Sequence, residues 1–180
     1  MILQQSLAFV DIETTGLSPE TAEIIELGVV LTKLKDGVLT VTDTLDLKIH
    51  PTHIETADPQ ALRVNGYNEA DWLFAIPLAD AMKTFAELTE GAVFVAHNAM
   101  FDYSFIDAAF KQTGIENKLY FQKVDTLSVA FGVLHNNDDM GKLSLRALCE
   151  KFEIQNAKAH SAFADAYATY EVFKKLLQLQ

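Results

Sequence analysis

Asp11 and Glu13 stand two residues apart in Phe9-Val10-Asp11-Ile12-Glu13-Thr14-Thr15-Gly16, an apolar run that ends in a turn. Side chains alternate along a strand, so Phe9, Asp11 and Glu13 share one face while Ala8, Val10 and Ile12 share the other. Two like charges side by side at the end of an apolar strand are unfavourable unless a cation, a proton or a hydrogen-bond network compensates them. A divalent cation is the simplest compensation. An isolated Asp-x-Glu is usually a solvated strand end, so the reading turns on whether further inward-facing acids follow.

Two do. In His97-Asn98-Ala99-Met100-Phe101-Asp102 the spacing predicts a helix from Ala99 to Thr113, with Asn98 as its N-cap and Gly114 at its end. On that helix Asp102, Phe105, Ile106 and Ala109 fall on one face, so the acid tops an apolar stripe, whereas Asp107 shares the solvated face with Tyr103, Ser104 and Lys111. The favourable helix dipole would explain an acid in the first turn but not its facing inward. The last helix begins after His160, with Ser161 as N-cap, and carries Asp165 in line with Thr169, Val172 and Leu176. His160, just before the helix, is placed to swing over the same site.

Asp11, Glu13, Asp102 and Asp165 together form an oxygen-rich cage suited to Mg²⁺ or Mn²⁺, whereas structural zinc would want sulfur or several His residues. Two such ions roughly 3.5–4 Å apart clamp an in-line displacement at a phosphodiester. His160 is of the residue type suited to taking the proton from the attacking water.

The elements that must position these groups follow in order. Glu23 to Lys35, a turn at Lys35-Asp36-Gly37, and Val38 to Ile49 make two further strands and an antiparallel meander. Glu26 lies opposite Ile25 and Leu27, where a structural ion pair or hydrogen bond is expected for it rather than a place in the site. Asp58 and Pro59 start a short helix from Pro59 to Val64, closed by Asn65-Gly66. A helix from Pro77 to Thr89 has an ordinary core stripe, Leu78, Met82, Phe85 and Leu88. Ala92 to Ala96 is an apolar run suited to a strand buried on both faces. Tyr120 to Val124 is expected as a short strand, followed by a helix from Thr126 to Leu134. His135 to Gly141, including Asp138 and Asp139, reads as a polar surface loop without calcium-loop spacing. Ser144 caps a helix reaching Phe152, with Cys149 in its core. Phe163, Ala166, Tyr170, Phe173 and Leu177 stripe the last helix.

The 180 residues, 49% of them apolar, suffice for one domain over 1–180 with a sizeable core. One cysteine excludes an internal disulfide framework and fits a reducing cytoplasm. No run is long enough to span a bilayer, so a soluble, cytoplasmic protein without membrane contact is expected. The net charge of −11 argues against a broad electrostatic grip on duplex nucleic acid. It leaves room for an enzyme that holds one strand end through metal ions and stacking.

The three blocks Asp11 to Gly16, His97 to Asp102 and His160 to Asp165 resemble, in order, the exonuclease motifs of the DEDDh 3′-5′ exonucleases. The resemblance covers nearly the whole chain. It implies an α/β, ribonuclease H-like fold: a five-stranded mixed sheet, three antiparallel strands then two parallel ones, flanked by helices. It further implies Asp11, Glu13, Asp102 and Asp165 as ligands of two divalent ions and His160 as general base. Thr14, Thr15 and Gly16 would hold the terminal nucleotide through backbone groups, with Leu17 and Phe101 packing on terminal bases. Within the family the chain is most similar to the proofreading epsilon subunits of bacterial replicative DNA polymerase. Asn65 stands where those subunits usually carry a His before Gly, a position placed at the substrate. The resemblance implies hydrolysis of single-stranded 3′ ends, DNA favoured over RNA, with a polymerase as a possible partner. An oligoribonuclease or ribonuclease T-like enzyme is the alternative within the class. A non-catalytic module that binds a polymerase or nucleic-acid end would be expected to lack one of the five key residues, and all five are present. A calcium-binding structural protein would gain stability from metal without hydrolysis.

Overall fold

The computed structural model describes residues 5–35, 37–136, 140–156 and 160–179. Asp36 of the expected hairpin turn, and Asp138 and Asp139 of the expected polar loop, lie outside them. The central strand, β1 (Ser6–Thr14), pairs antiparallel with β2 (Ile24–Lys35), which pairs antiparallel with β3 (Val38–Lys48). On its other side β1 runs parallel to β4 (Val93–Ala96), and β4 parallel to β5 (Lys123–Asp125). The order β3-β2-β1-β4-β5 is the expected mixed sheet.

The alternation along β1 sorts its residues as the sequence requires. Ala8, Val10 and Ile12 enter a core shared with α2 (Leu78–Leu88) and α3 (Ala99–Thr113). Leu7 and Phe9 enter the opposite core, under α6 (Ala162–Leu177), where Phe9 meets Tyr170 and Phe173 with ring centroids 5.5 Å apart in each case. A third cluster joins α4 (Thr126–Leu134) and α5 (Leu145–Lys151) to a second face of α6 through Ala168, Val172 and Leu176. Cys149 is a buried free thiol in that cluster, as expected. The short α1 (Pro59–Asn65) has Asp58 as a working cap, its carboxylate accepting from Gln60 N at 2.7 Å, and closes on Gly66 at φ 69°.

Two helix starts differ from expectation. Asn98 occupies the cap position of α3 in a left-handed conformation, φ 68°, and its side chain makes no cap bond. Asp125 does that work: its Oδ1 accepts from Asn98 N at 2.9 Å and Ala99 N at 3.3 Å, while its two oxygens also accept from Leu127 N and Ser128 N in α4. The reason is topological. Ala96 and Asp125 are register partners at the ends of parallel strands, so one carboxylate reaches both helices that leave them. Likewise Ser161 makes no cap bond to α6, and Glu26 Oε2 accepts from Ala162 N at 3.1 Å instead. The fifth strand is shorter than expected, because Tyr120 makes a single bond to Ala92 O at 2.8 Å and pairing with β4 begins only at Lys123.

Candidate active site

The acids converge at the C-terminal end of the central strand. Asp11 and Glu13 extend the Phe9 face of β1, and a register shift between Glu13 and Thr14 bends the strand there. Asp102, in the first turn of α3, is 4% exposed and takes backbone hydrogen bonding from Ile12, which ties the helix to the same strand. Asp165 comes from the first turn of α6. That turn rests directly on β2: a Cβ added at Gly28 would lie 2.3 Å from Ala162 C and Phe163 N. Gly28 is the register partner of Asp11, so the close approach sets Asp165 beside the acids of β1.

Ligand atoms of Glu13, His160 and Asp165 lie within 4.8 Å of one another. His160 is exposed, with φ 70°, and its own N–H donates to Asp165 Oδ2 at 3.1 Å. Asn156 Nδ2 donates to the other oxygen of Asp165. Thus the structure brings His160 to the acids, as the sequence suggested, and within reach of whatever they hold.

The electrostatics are those of crowded, poorly hydrated carboxylates. Burial, followed by the charges of Asp102, Asp165, Glu13 and Glu26, raises Asp11 well above the usual carboxylate range. Burial and the charges of Asp165, Glu26 and Asp102 push Glu13 up to about 8. Burial also raises Asp102, to about 7, although backbone hydrogen bonds oppose it. Among the described residues no Lys or Arg forms an ion pair with any of the four; Lys48, the nearby cation, binds Glu26 at 2.7 Å. Hard, oxygen-donating groups in this state fit a divalent cation, whose charge would return them to the ionised form.

Beside Glu13 lies a cleft of about 290 Å³ whose lining includes Thr14, Gly16, Leu17, Asn65 and Phe101. Leu17 is 83% exposed at its mouth and Phe101 half-buried at its wall, its ring 5.2 Å from that of Phe105 and tilted 52° to it. Thr15 and Asn65 are engaged with the fold. Thr15 N–H donates to Glu23 O at 2.9 Å, and Thr15 Oγ1 accepts from Glu23 N. Asn65 Nδ2 donates to Thr14 O at 3.0 Å, and its Oδ1 accepts from Tyr67 N. Asn65 therefore clamps the Thr14–Gly16 turn as well as lining the cleft.

The profile of the exonuclease family named RNase_T matches residues 8–173. The chain belongs to the exonuclease family. Among relatives, DNA polymerase III PolC-type from Caldanaerobacter subterraneus subsp. tengcongensis is 35% identical over 178 residues, covering 98% of this chain and 12% of that protein. Ribonuclease T from Shewanella denitrificans is 29% identical over 179 residues, covering 91% and 76%. This exonuclease-family chain thus spans about an eighth of the polymerase it matches and about three quarters of the ribonuclease. Of solved structures, E. coli Exonuclease I in complex with a dT13 oligonucleotide matches with TM-score 0.78 at 19% identity, covering 96% of this chain and 41% of that one. The nuclease domain of 3′hExo, a DEDDh family member bound to rAMP, also gives 0.78, at 16% identity and covering 97% and 92%. At those identities the likeness is one of fold.

Three residues that matter here escaped the sequence reading. Asp125 carried a signal, an Asp just before a helix with Ser three positions on. Gly28 carried another, since an isolated Gly in a strand often marks a close backbone approach. Asn156 had none, because its role depends on its bond to Asp165, nine residues on.

Proposed function

We propose that this chain is a metal-dependent 3′-5′ exonuclease that releases nucleoside monophosphates from single-stranded ends, DNA favoured, with residues 1–180 acting as one domain. The observation that carries the reading is the meeting of Asp11, Glu13, Asp102 and Asp165 with His160 beside an open, partly apolar cleft. Asp11, Glu13, Asp102 and Asp165 are the residues that would hold two divalent ions, Mg²⁺ or Mn²⁺. Bound there, such ions supply a nucleophilic water at neutral pH and stabilise the leaving oxygen of a phosphodiester.

The chain's own groups do the rest. Leu17 and Phe101 offer apolar surface to a terminal base, and stacking is tolerant of base identity. Thr14 Oγ1 donates to Gly16 O at 2.7 Å, so the turn that meets the nucleotide is already rigid. His160 accepts the proton of the attacking water, and its exposure lets that proton pass to solvent. Net charge −11 argues against a broad grip on a long duplex, so the hold on a strand end falls to the metal site and the cleft.

The ribonuclease T relatives, of which this chain spans about three quarters, favour RNA ends as a second reading. The polymerase relatives support a place beside a DNA polymerase. The test is a time course on 5′-labelled single-stranded DNA and RNA of equal sequence, with Mg²⁺, Mn²⁺ or EDTA, alongside Asp165→Ala. A ladder shortening from the 3′ end, abolished by EDTA and by the substitution, is expected, with DNA cut faster. Faster cutting of RNA would select the second reading. No cleavage by folded protein with any metal would sink both.

A further inference from the structure

Glu26 is a fifth acid at the site, and its position does not by itself explain why it should be there. It is the register partner of Glu13 on the adjacent strand and is 5% exposed. By type and place it resembles another ligand, yet both of its oxygens are committed elsewhere. Oε1 accepts from Lys48 Nζ at 2.7 Å, and Oε2 accepts from Ala162 N at 3.1 Å. The first N–H groups of a helix have no partner within it. Ser161, at the cap position of α6, supplies none from its side chain, so β2 supplies one across the sheet face.

Three features meet at this point. Gly28, two residues along the same strand, removes the Cβ that would collide with Ala162 and Phe163. Glu26 holds the helix N-terminus from β2. Lys48, seated on the face of Trp72 with its Nζ 3.4 Å from the ring centroid, holds Glu26 in turn. Trp72 is itself fixed, its Nε1 donating to Ile25 O at 3.0 Å. An ordinary cap on Ser161 would stabilise α6 wherever the helix lay. A cap borrowed from β2 also fixes where it lies.

We propose that Glu26 is a positioning residue for the nuclease site. It locks the first turn of α6 onto β2, with Gly28 as the seat and Lys48 as the counter-ion, and so sets Asp165 and His160 at the distance from Glu13 that metal binding and proton transfer require. This inference rests on the exonuclease reading for its catalytic half, and on the metal site alone for the other.

The experiment compares Glu26→Ala, Glu26→Gln and the double variant Glu26→Ala/Ser161→Asn with the wild-type full chain. It measures kcat and KM on a single-stranded oligonucleotide, and the Mn²⁺ concentration at the midpoint of a thermal-shift titration. Gln keeps a carbonyl oxygen for Ala162 N–H; Asn at 161 offers α6 a neutral cap of its own, untied to β2. Glu26→Ala is expected to lower kcat about 10–100-fold and raise the Mn²⁺ midpoint by a similar factor, the range for losing a group that orients a metal ligand, with KM little changed. Glu26→Gln is expected to be impaired less than Ala, because the acceptor for Ala162 N–H is retained while the charge facing Lys48 is lost. The double variant should recover melting temperature but not kcat or the midpoint.

Recovery of all three in the double variant would reduce Glu26 to a plain cap and overturn the proposal. So would a folded Glu26→Ala with an unchanged kcat and midpoint, or a Glu26→Gln as impaired as Ala. If Glu26→Ala does not fold, the double and Gln variants carry the decision. Absence of cleavage by the wild-type protein would strike the exonuclease reading, while the Mn²⁺ midpoints would still decide the role of Glu26.

Discussion

The four acids and the histidine of the site are held in opposite ways. Asp11 and Glu13 lie on the central strand, paired on one side with β2 along its length; Asp102 and Asp165 lie in first turns pinned from outside their helices, by Asp125 and Glu26. His160 sits on an exposed turn in the left-handed region, where a non-glycine residue is strained by about 1–3 kcal/mol. Groups that must converge on one ion need sub-ångström placement and come from regular elements. A group that must exchange a proton with solvent needs access, and comes from a turn. On the proposed reading, the difference gives rigid charge placement to one region and proton traffic to the other.

The sharpest way to break this division is to remove a rigid charge. Asp11→Asn is expected to lower single-turnover cleavage by more than roughly 100-fold, beyond what loss of an outer group costs a metal site. It should raise the melting temperature in EDTA, because burial and four neighbouring acids make ionised Asp11 unfavourable. Retained cleavage would take Asp11 out of the ligand set. Next in size is His160→Ala, expected to slow the chemical step by about 10²–10⁴-fold, the usual range for a general base. Its Mn²⁺ midpoint should match wild type. A lost midpoint would make His160 a ligand, as its distance to Glu13 and Asp165 allows, and the two regions would then be one.

The third effect is on stability and follows from the raised acids. Glu13 reaches about 8 and Asp102 about 7 in the folded protein, against 4.5 and 3.8 as ordinary values. Between those limits the unfolded chain has released protons that the folded chain keeps. Stability without metal therefore falls as pH rises, by about 1.4 kcal/mol per pH unit for each retained proton. Melting temperature in EDTA should drop from about pH 5 to about pH 8, and saturating Mn²⁺ should flatten the slope by displacing those protons. Glu13→Gln should make the upper part of the drop shallower, with Asp11, also raised, keeping the remainder. A flat or rising profile without metal would mean that the acids are already compensated.

The legible part of this molecule was whatever local spacing decides. The alternation of Phe9, Asp11 and Glu13 against Val10 and Ile12 fixed which core each residue enters, and the Asp102–Phe105–Ile106–Ala109 stripe placed the acid inward. Helices expected at about 99–113 and 126–134 are found there. The ion pair and hydrogen bond expected of Glu26 are present, although it also lies beside Glu13. What stayed hidden is non-local. Asn98 and Ser161 look like caps, but the acceptors that serve those helices come from Asp125 and Glu26, 26 and 136 residues from the groups they bind. Nothing in a single stretch of sequence distinguishes a residue that could cap from one displaced by a better-placed carboxylate.

The smallest predicted effect tests that displacement at α3. Burial raises Asp125, but hydrogen bonds from Ser128, Ala99, Asn98 and Leu127 outweigh it and hold the carboxylate below its usual range. Asp125→Ala should therefore destabilise the fold by about 1–2 kcal/mol, the upper range for one lost cap, because two helix starts lose their acceptor. It should also weaken Mn²⁺ binding modestly, through Asp102. Asn98→Ala removes no cap bond, yet it places a residue less suited to φ 68° where Asn is tolerated, so a loss of only about 0.5–1 kcal/mol is expected. Asn98→Gly, which fits that backbone freely, should be near neutral in chemical denaturation. If Asn98→Gly were instead as damaging as Asp125→Ala, the Asn98 side chain would be holding α3 in solution, and the rigidity of Asp102 would rest on its own loop rather than on the neighbouring strand.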